Sequence, residues 1–154
     1  MTRRLSILGF SLGVVILLAA CGSGTNPSGS THSASAPAAA PTVLVAQDMT
    51  LGSILTDASG RTLYQFSPEK GGKIVCTGAC LTPWPAALSG SAVAGAGVTG
   101  TVALITRPEG GQQLTYNTWP LYYFFKDTAP DQTNGQGVNA FGGDWRVATP
   151  ALQA

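Results

Sequence analysis

The sequence predicts an all-β fold: one small domain built from two similar β-hairpin and strand repeats. Three observations carry this. Strand-like alternation of period two runs through nearly every segment after residue 42, and no segment offers an amphipathic helix of three turns. The third is a repetition, since "LYQFSPE" (Leu63–Glu69) returns as "LYYFFKD" (Leu121–Asp127).

The chain opens outside that domain. Residues 1–20 read as a lipoprotein signal peptide, with Arg3 and Arg4 as its basic start and Leu5–Leu18 as an apolar run of fourteen residues. That run is shorter than the ~20 residues a membrane-spanning helix needs. It ends in "LAAC", where small residues precede Cys21, and this resembles the lipobox of bacterial lipoproteins. The resemblance implies a diacylglyceryl group on Cys21 and cleavage that makes it the new N-terminus. Each buried methylene contributes ~0.8 kcal/mol, so such a protein is anchored to the extracytoplasmic face of a cell membrane or outer membrane and does not span it. Residues 21–41 form the lipidated cysteine and a Gly/Ser/Ala/Pro tether whose composition cannot bury a core. The all-β domain then occupies 42–150, with repeats at about 51–89 and 101–150, and 151–154 form a C-terminal tail.

Within the domain, "TVLVAQD" (Thr42–Asp48) reads as the first strand. "GSILTDASGRTLYQF" reads as a hairpin turning at Asp57-Ala58-Ser59-Gly60, acidic first and glycine last. On its second arm Tyr64 and Phe66 share one face, Leu63 and Gln65 the other. A cysteine-containing loop and a Gly/Ala stretch fill Lys70 to Gly100. "TVALITR" (Thr101–Arg107), the turn "PEGG" and "QQLTY" (Gln112–Tyr116) form a second hairpin. "NTWP" turns the chain into "LYYFF", and a Gly-rich loop from Asp127 to Gly143 leads to a last strand, "DWRVA". "GAGVTG" (Gly95–Gly100) matches the dinucleotide fingerprint G-x-G-x-x-G, but a β-branched strand follows it where a helix should open, so the match is rejected.

Charge and titratable residues exclude several functions. Of eight basic residues, removal of Arg3 and Arg4 leaves six against seven acids, a net charge of −1 without a basic stripe, so nucleic acid is not an expected partner. The one histidine, His32, falls in the tether, which rules out Ser-His-Asp and Cys-His sites and histidine-based metal ligation in the domain. With Cys21 assigned to lipid, Cys76 and Cys80 in "CTGAC" remain, in an oxidising compartment. Their spacing suits a structural disulfide closing a short loop before "TPWP". The alternative is a redox dithiol, although C-x-x-x-C is not the thioredoxin-like spacing and two cysteines fall short of a zinc site.

The repeated motif, together with "LTDASGRTLY", the C-x-G-x-C and following "WP", "TYNTWPLYYF" and "GQGVNAFGGDW", resembles a family of bacterial secreted lipoproteins. These carry a repeated Y-x-[FWY]-x-x-D motif and are described as a secreted repeat of unknown function. The resemblance covers nearly all of 42–150. Tyr122, Phe124 and Asp127 match the motif fully; in the first copy Tyr64 and Phe66 match, and Glu69 replaces the aspartate. The family brings no agreed activity and no cofactor. The physical reading is that each copy buries its Tyr/Phe face against its twin, while the acid accepts backbone N–H groups at the strand end.

The function expected is a lipid-anchored, non-enzymatic binding or interaction module of the cell envelope, with a glycan or envelope protein as partner. Trp84, Trp119 and Trp145 are candidates for display to such a ligand, and plugging the sheet ends suits them equally. The alternative is a redox or electron-transfer role through Cys76 and Cys80 or a bound cofactor. Paired carboxylates acting on glycans, drawn from Asp57, Glu69, Glu109, Asp127, Asp131 and Asp144, have no supporting spacing. A weak calcium candidate is the set Asp127, Asp131, Asn134 and Asn139.

Overall fold

Alternating apolar residues pair the chain locally before they pair it globally. The computed structural model describes residues 39–154; the signal peptide, Cys21 and the tether up to residue 38 lie outside the described residues. β1 (Leu44–Asp48) runs antiparallel to β2 (Gly52–Thr56), and the Asp48 carboxylate closes their turn by accepting the N–H groups of Thr50 (2.8 Å) and Leu51 (2.7 Å). The expected Asp57–Gly60 turn follows, with Gly60 at φ 79°, and leads into β3 (Tyr64–Phe66). β4 (Val102–Thr106) and β5 (Gln112–Tyr116) form the hairpin expected in the second copy. Asn117 and Thr118, both at positive φ, then turn the chain into β6 (Trp119–Pro120). β7 (Asn139–Ala140) and β8 (Gly143–Val147) end the strand series. The sheets are ordered β1-β2, β3-β8-β7 and β4-β5-β6. Single 3-10 turns at Ser67–Glu69 and Gly78–Leu81 are the helical segments among the described residues.

Two details differ from the sequence reading. The Gly-rich loop contains β7, which pairs with β8 through Asn139–Asp144 and Ala140–Gly143. The "LYYFF" arm is not a continuous ladder strand as β3 is. β3 pairs with Trp145, Arg146 and Val147, whereas the equivalent partner of Tyr122–Phe124 is the "PWPA" segment. Pro83 and Pro85 accept from Phe125 N–H (3.0 Å) and Tyr123 N–H (2.8 Å) but have no N–H to return.

The two copies are joined by exchange. Leu63 N–H donates to Leu55 C=O (2.9 Å), Ala148 N–H to Leu63 C=O (2.8 Å) and Leu55 N–H to Ala148 C=O (2.8 Å), a closed cycle. The second copy repeats it with Leu121, Ala87 and Leu114 at 2.8–2.9 Å. Ala148 thus closes the first copy and Ala87 the second, so each copy lends its last segment to the other. Tyr64 and Tyr122 face one another between the cycles and exchange both backbone hydrogen bonds at 2.9 Å. Buried peptide groups need partners, and here two of the three bonds in each cycle, and both bonds between Tyr64 and Tyr122, come from the twin.

Alternation along β3 and along Leu121–Phe124 separates two cores. Leu55, Leu63, Leu114, Leu121, Ala87 and Ala148 lie in an aliphatic cluster. Tyr64, Phe66, Trp84, Tyr122, Phe124 and Trp145 lie in an aromatic one. Trp84 and Trp145 stack at 3.9 Å between centroids and 4° between planes, with Phe66 stacked on Trp145 at 4.2 Å. Gly135 lies against this cluster, where an added Cβ would fall 2.8 Å from both Trp84 and Tyr64. Those rings are held by their neighbours, so Gly135→Ala is expected to destabilise by about 1–3 kcal/mol in denaturant unfolding.

Candidate functional site

The motif acids cross between copies. The Tyr64 hydroxyl donates to Asp127 Oδ2, and the Tyr122 hydroxyl donates to Glu69 Oε1 (3.0 Å). Each acid also accepts backbone N–H groups of the loop that follows it, as expected from the sequence. Glu69 Oε1 takes Val75 (2.6 Å) and Cys76 (2.7 Å), and Asp127 Oδ1 takes Asn134 N–H (3.1 Å) and Nδ2 (3.0 Å). The motif therefore ties tyrosine of one copy to acid and loop of the other.

The two ends of this arrangement differ in burial. Asp127 is partly exposed, while Glu69 is fully buried and its Oε2 has no hydrogen-bond partner among the described residues. Burial pushes the Glu69 carboxyl above its usual range, although Cys76 N–H, Val75 N–H, the Tyr122 hydroxyl and the charge of Arg107 all oppose the shift. Arg107, 4% exposed, enters the same network: it donates to Gln113 Oε1, to Cys76 C=O (2.7 Å) and to Tyr122 (3.4 Å), and pairs with Glu109 at 3.2 Å. Burial and the Glu69 charge raise the Tyr122 hydroxyl to about 12. The sequence reading missed Arg107 and Gln113, because nothing local distinguishes an arginine before "PEGG" from an exposed one.

Cys76 and Cys80 form a disulfide, with Cα atoms 5.4 Å apart, and both residues are buried in the aromatic core. The display of tryptophans is corrected: Trp84 (1%), Trp119 (6%) and Trp145 (0%) are all buried. The first and last stack on one another, and Trp119 Nε1 donates to Gln153 C=O (2.7 Å) in the C-terminal tail. Of the weak calcium candidates, Asp127 has both oxygens engaged, by Tyr64 and Asn134, and the Asn139 amide donates to Asp144 (2.8 Å). Among the described residues, no three His, Cys, Asp or Glu side chains lie close enough to share a metal ion.

The surface shows what the motif positions did not. Tyr122 and Phe124 face inward, so Tyr123 and Phe125 point away from the aromatic core, and Phe125 is 55% exposed. They line a cleft of about 190 Å³ with Pro85, Thr62, Arg61 and Asp127. Arg61 lies over the Tyr123 ring at 3.8 Å and pairs with Asp57 through Nη2 (2.8 Å) and Nε (2.9 Å). The Tyr123 hydroxyl also donates to Asp57 (3.0 Å), and burial and the Asp57 charge raise it to about 12. Burial pushes the Asp57 carboxyl up, but hydrogen bonds from Arg61 and Ser59 outweigh it and leave the group below its usual value. A second hollow of about 390 Å³ shares Arg61 and Tyr123 with the cleft and is walled by Ser59, Ser89, Ser91, Leu88 and the entering chain at Ala40–Pro41. The available signal was the doubling in "YYFF", which sets Tyr123 and Phe125 where the first copy carries Gln65 and Ser67; Phe125 is exposed, and Tyr123 is partly buried against the aliphatic cluster.

A family model described as a secreted repeat of unknown function matches residues 45–88 and 103–149. No curated protein and no solved structure matches the chain. The two matched segments are the copies that exchange their ends around Tyr64 and Tyr122. They cover more than half of the sequence and place it outside the cytoplasm: the chain belongs to the family of secreted repeats of unknown function, with two copies of the repeat.

Proposed function

We propose that this chain is a lipid-anchored envelope protein, held through Cys21 on the extracytoplasmic face of a bacterial membrane, that binds a ligand without catalysis. The observation that carries the reading is the aromatic cleft: Phe125 stands half exposed beside the Arg61–Tyr123 stack, while the motif aromatics Tyr64, Phe66, Tyr122 and Phe124 are buried. Exposed aromatics beside a charged stack favour recognition. The acids of the motif are engaged in holding the copies together, which supports a structural role for them. The redox alternative is weakened by the burial of both half-cystines, since exchange with an outside thiol needs access to sulfur.

Two measurements test this. In the host, Cys21→Ser is expected to abolish incorporation of a labelled fatty acid and move the protein from the membrane to the soluble fraction. Labelling that persists in the variant would overturn the anchor. The soluble Cys21→Ser chain is then expected to sediment with envelopes isolated from the host, and Phe125→Ser in the same background to remain in the supernatant. Equal sedimentation of the two would place binding elsewhere.

A further inference from the structure

We infer that the free edge of β4 pairs antiparallel with β4 of a second copy of this chain, joining two β4-β5-β6 sheets into one across a two-fold axis. Leu114, opposite Leu104, turns its backbone away from β4: its N–H donates to Ala87 C=O (2.8 Å) and its C=O accepts from Leu121 N–H (2.9 Å). The β4–β5 hydrogen bonds therefore fall at the alternate pairs, bounded by Asn117 N–H to Thr101 C=O (2.9 Å) and Arg107 N–H to Gly111 C=O (3.1 Å). Between them, the N–H and C=O groups of Val102, Leu104 and Thr106 point out of the sheet edge and have no partner among the described residues.

The first copy shows what such an edge takes. Val43 and Val45 are the counterparts of Val102 and Leu104, since Val45 lies opposite Leu55 as Leu104 lies opposite Leu114. There backbone covers the edge: Val43 N–H donates to Val93 C=O (3.2 Å), Val43 C=O accepts from Gly95 N–H (2.8 Å), and Gly97 lies against Val45. Other edges carry guards. β1 ends in Asp48, the "PWP" segment places prolines on its edge, and β7 is two residues long. β4 has none of these: Thr101–Thr106 holds neither charge nor proline, and its Val, Ile and Thr residues favour the extended state.

A second copy fits this edge in register. With Leu104 facing its own counterpart, Val102 of each copy faces Thr106 of the other, and every one of these pairs exchanges both backbone hydrogen bonds. Ala103, exposed in the single copy, then meets Ile105 of the other on the sheet face opposite Leu104. The nearest charges are Arg107 and Glu109, which pair with each other at 3.2 Å. The register sets Arg107 against the uncharged Thr101, so no like charges oppose one another across the axis.

The test follows the mature Cys21→Ser chain from about 1 μM to about 1 mM by sedimentation equilibrium and by residue-resolved amide hydrogen exchange. The mass is expected to rise from one copy toward two. Over the same range, exchange is expected to slow at the outward N–H groups of Val102, Leu104 and Thr106, and to change less at Ala103 and Ile105, which already bond to β5. Thr106→Pro removes one outward N–H and leaves the ladder to β5 intact, and Ala103→Lys places on the exposed face the charge that guards natural edges. Each is expected to weaken self-association by about tenfold or more, with unfolding midpoints measured alongside to show that both variants are folded. A single copy at every concentration, or association untouched by both folded variants, would overturn the inference. So would a rise in mass without slowed exchange at the three groups, which would place the contact elsewhere. Slowing that needs added envelope protein from the host, with the mass still that of one copy, would give the edge to another polypeptide and sink the second copy.

Discussion

Trp145→Ala is expected to remove about 3–5 kcal/mol of stability, the largest effect of any single truncation in this domain. The indole is fully buried and lies between Phe66, stacked at 4.2 Å, and Trp84, stacked at 3.9 Å, with the Tyr122 ring edge-on at 5.2 Å. It sits on β8, the segment the second copy lends to β3 of the first, so the cavity would open at the seam between copies. A small domain holds about 5–15 kcal/mol in total, so the variant should melt on the order of 15–30 °C lower. Thermal unfolding followed by near-ultraviolet circular dichroism measures this, since the stacked indoles supply the signal. A shift of only a few degrees would mean that the copies are held by the backbone cycles and not by the aromatic seam.

The second large effect is at Glu69. Glu69→Ala leaves the Val75 and Cys76 N–H groups and the Tyr122 hydroxyl without their acceptor inside the core, and a loss on the order of 3–5 kcal/mol is expected. Glu69→Gln keeps an acceptor oxygen for the same three donors and should lose less. The two substitutions also separate packing from charge. Because the folded carboxyl titrates above its unfolded value, the folded state holds a proton that the unfolded chain has released. Its contribution is therefore fully present below the ordinary carboxyl pKa of about 4.3 and is lost as pH rises through the raised value. Asp57 acts oppositely: its contribution is present at neutral pH and is lost as pH falls below the ordinary range. Urea midpoints taken from about pH 4.3 up to neutrality should fall for the wild type and stay level for Glu69→Gln. A level wild-type profile would mean that the three donors and Arg107 outweigh burial.

The motif is written twice because each copy's ring face and acid are closed by the other copy. Tyr64 and Phe66, and Tyr122 and Phe124, each put two rings on one face because a strand alternates, and that was legible in the sequence. The turn at Asp57–Gly60 and the hairpin at "PEGG" were legible too, since glycine and acid placement is local. The strand β7 was not, because two residues in a Gly-rich stretch carry no periodicity of their own. Neither was the irregularity of "LYYFF", whose own residues favour a strand and whose partner supplies two prolines.

The candidate site was less legible than the fold. "TPWP" and "TWP" suggested displayed indoles, but display depends on what covers a turn. Trp84 is covered by Trp145, sixty-one positions away, and Trp119 by the C-terminal tail. Arg61 and Phe125, at the cleft, come from opposite copies, and no spacing within either copy announces their meeting.

The sequence by itself determined that the chain is all-β, that it is doubled, and which residues of each copy face inward. These follow from period, turn chemistry and repetition, all of which act between near neighbours. Only the tertiary structure decided that each copy closes the other, that each motif tyrosine bonds the other copy's acid, and that one acid is buried beside Arg107 while its counterpart stands at a cleft. Those outcomes depend on which backbone and side-chain donors the fold brings to a group from far along the chain, and a buried polar group takes whatever partner arrives.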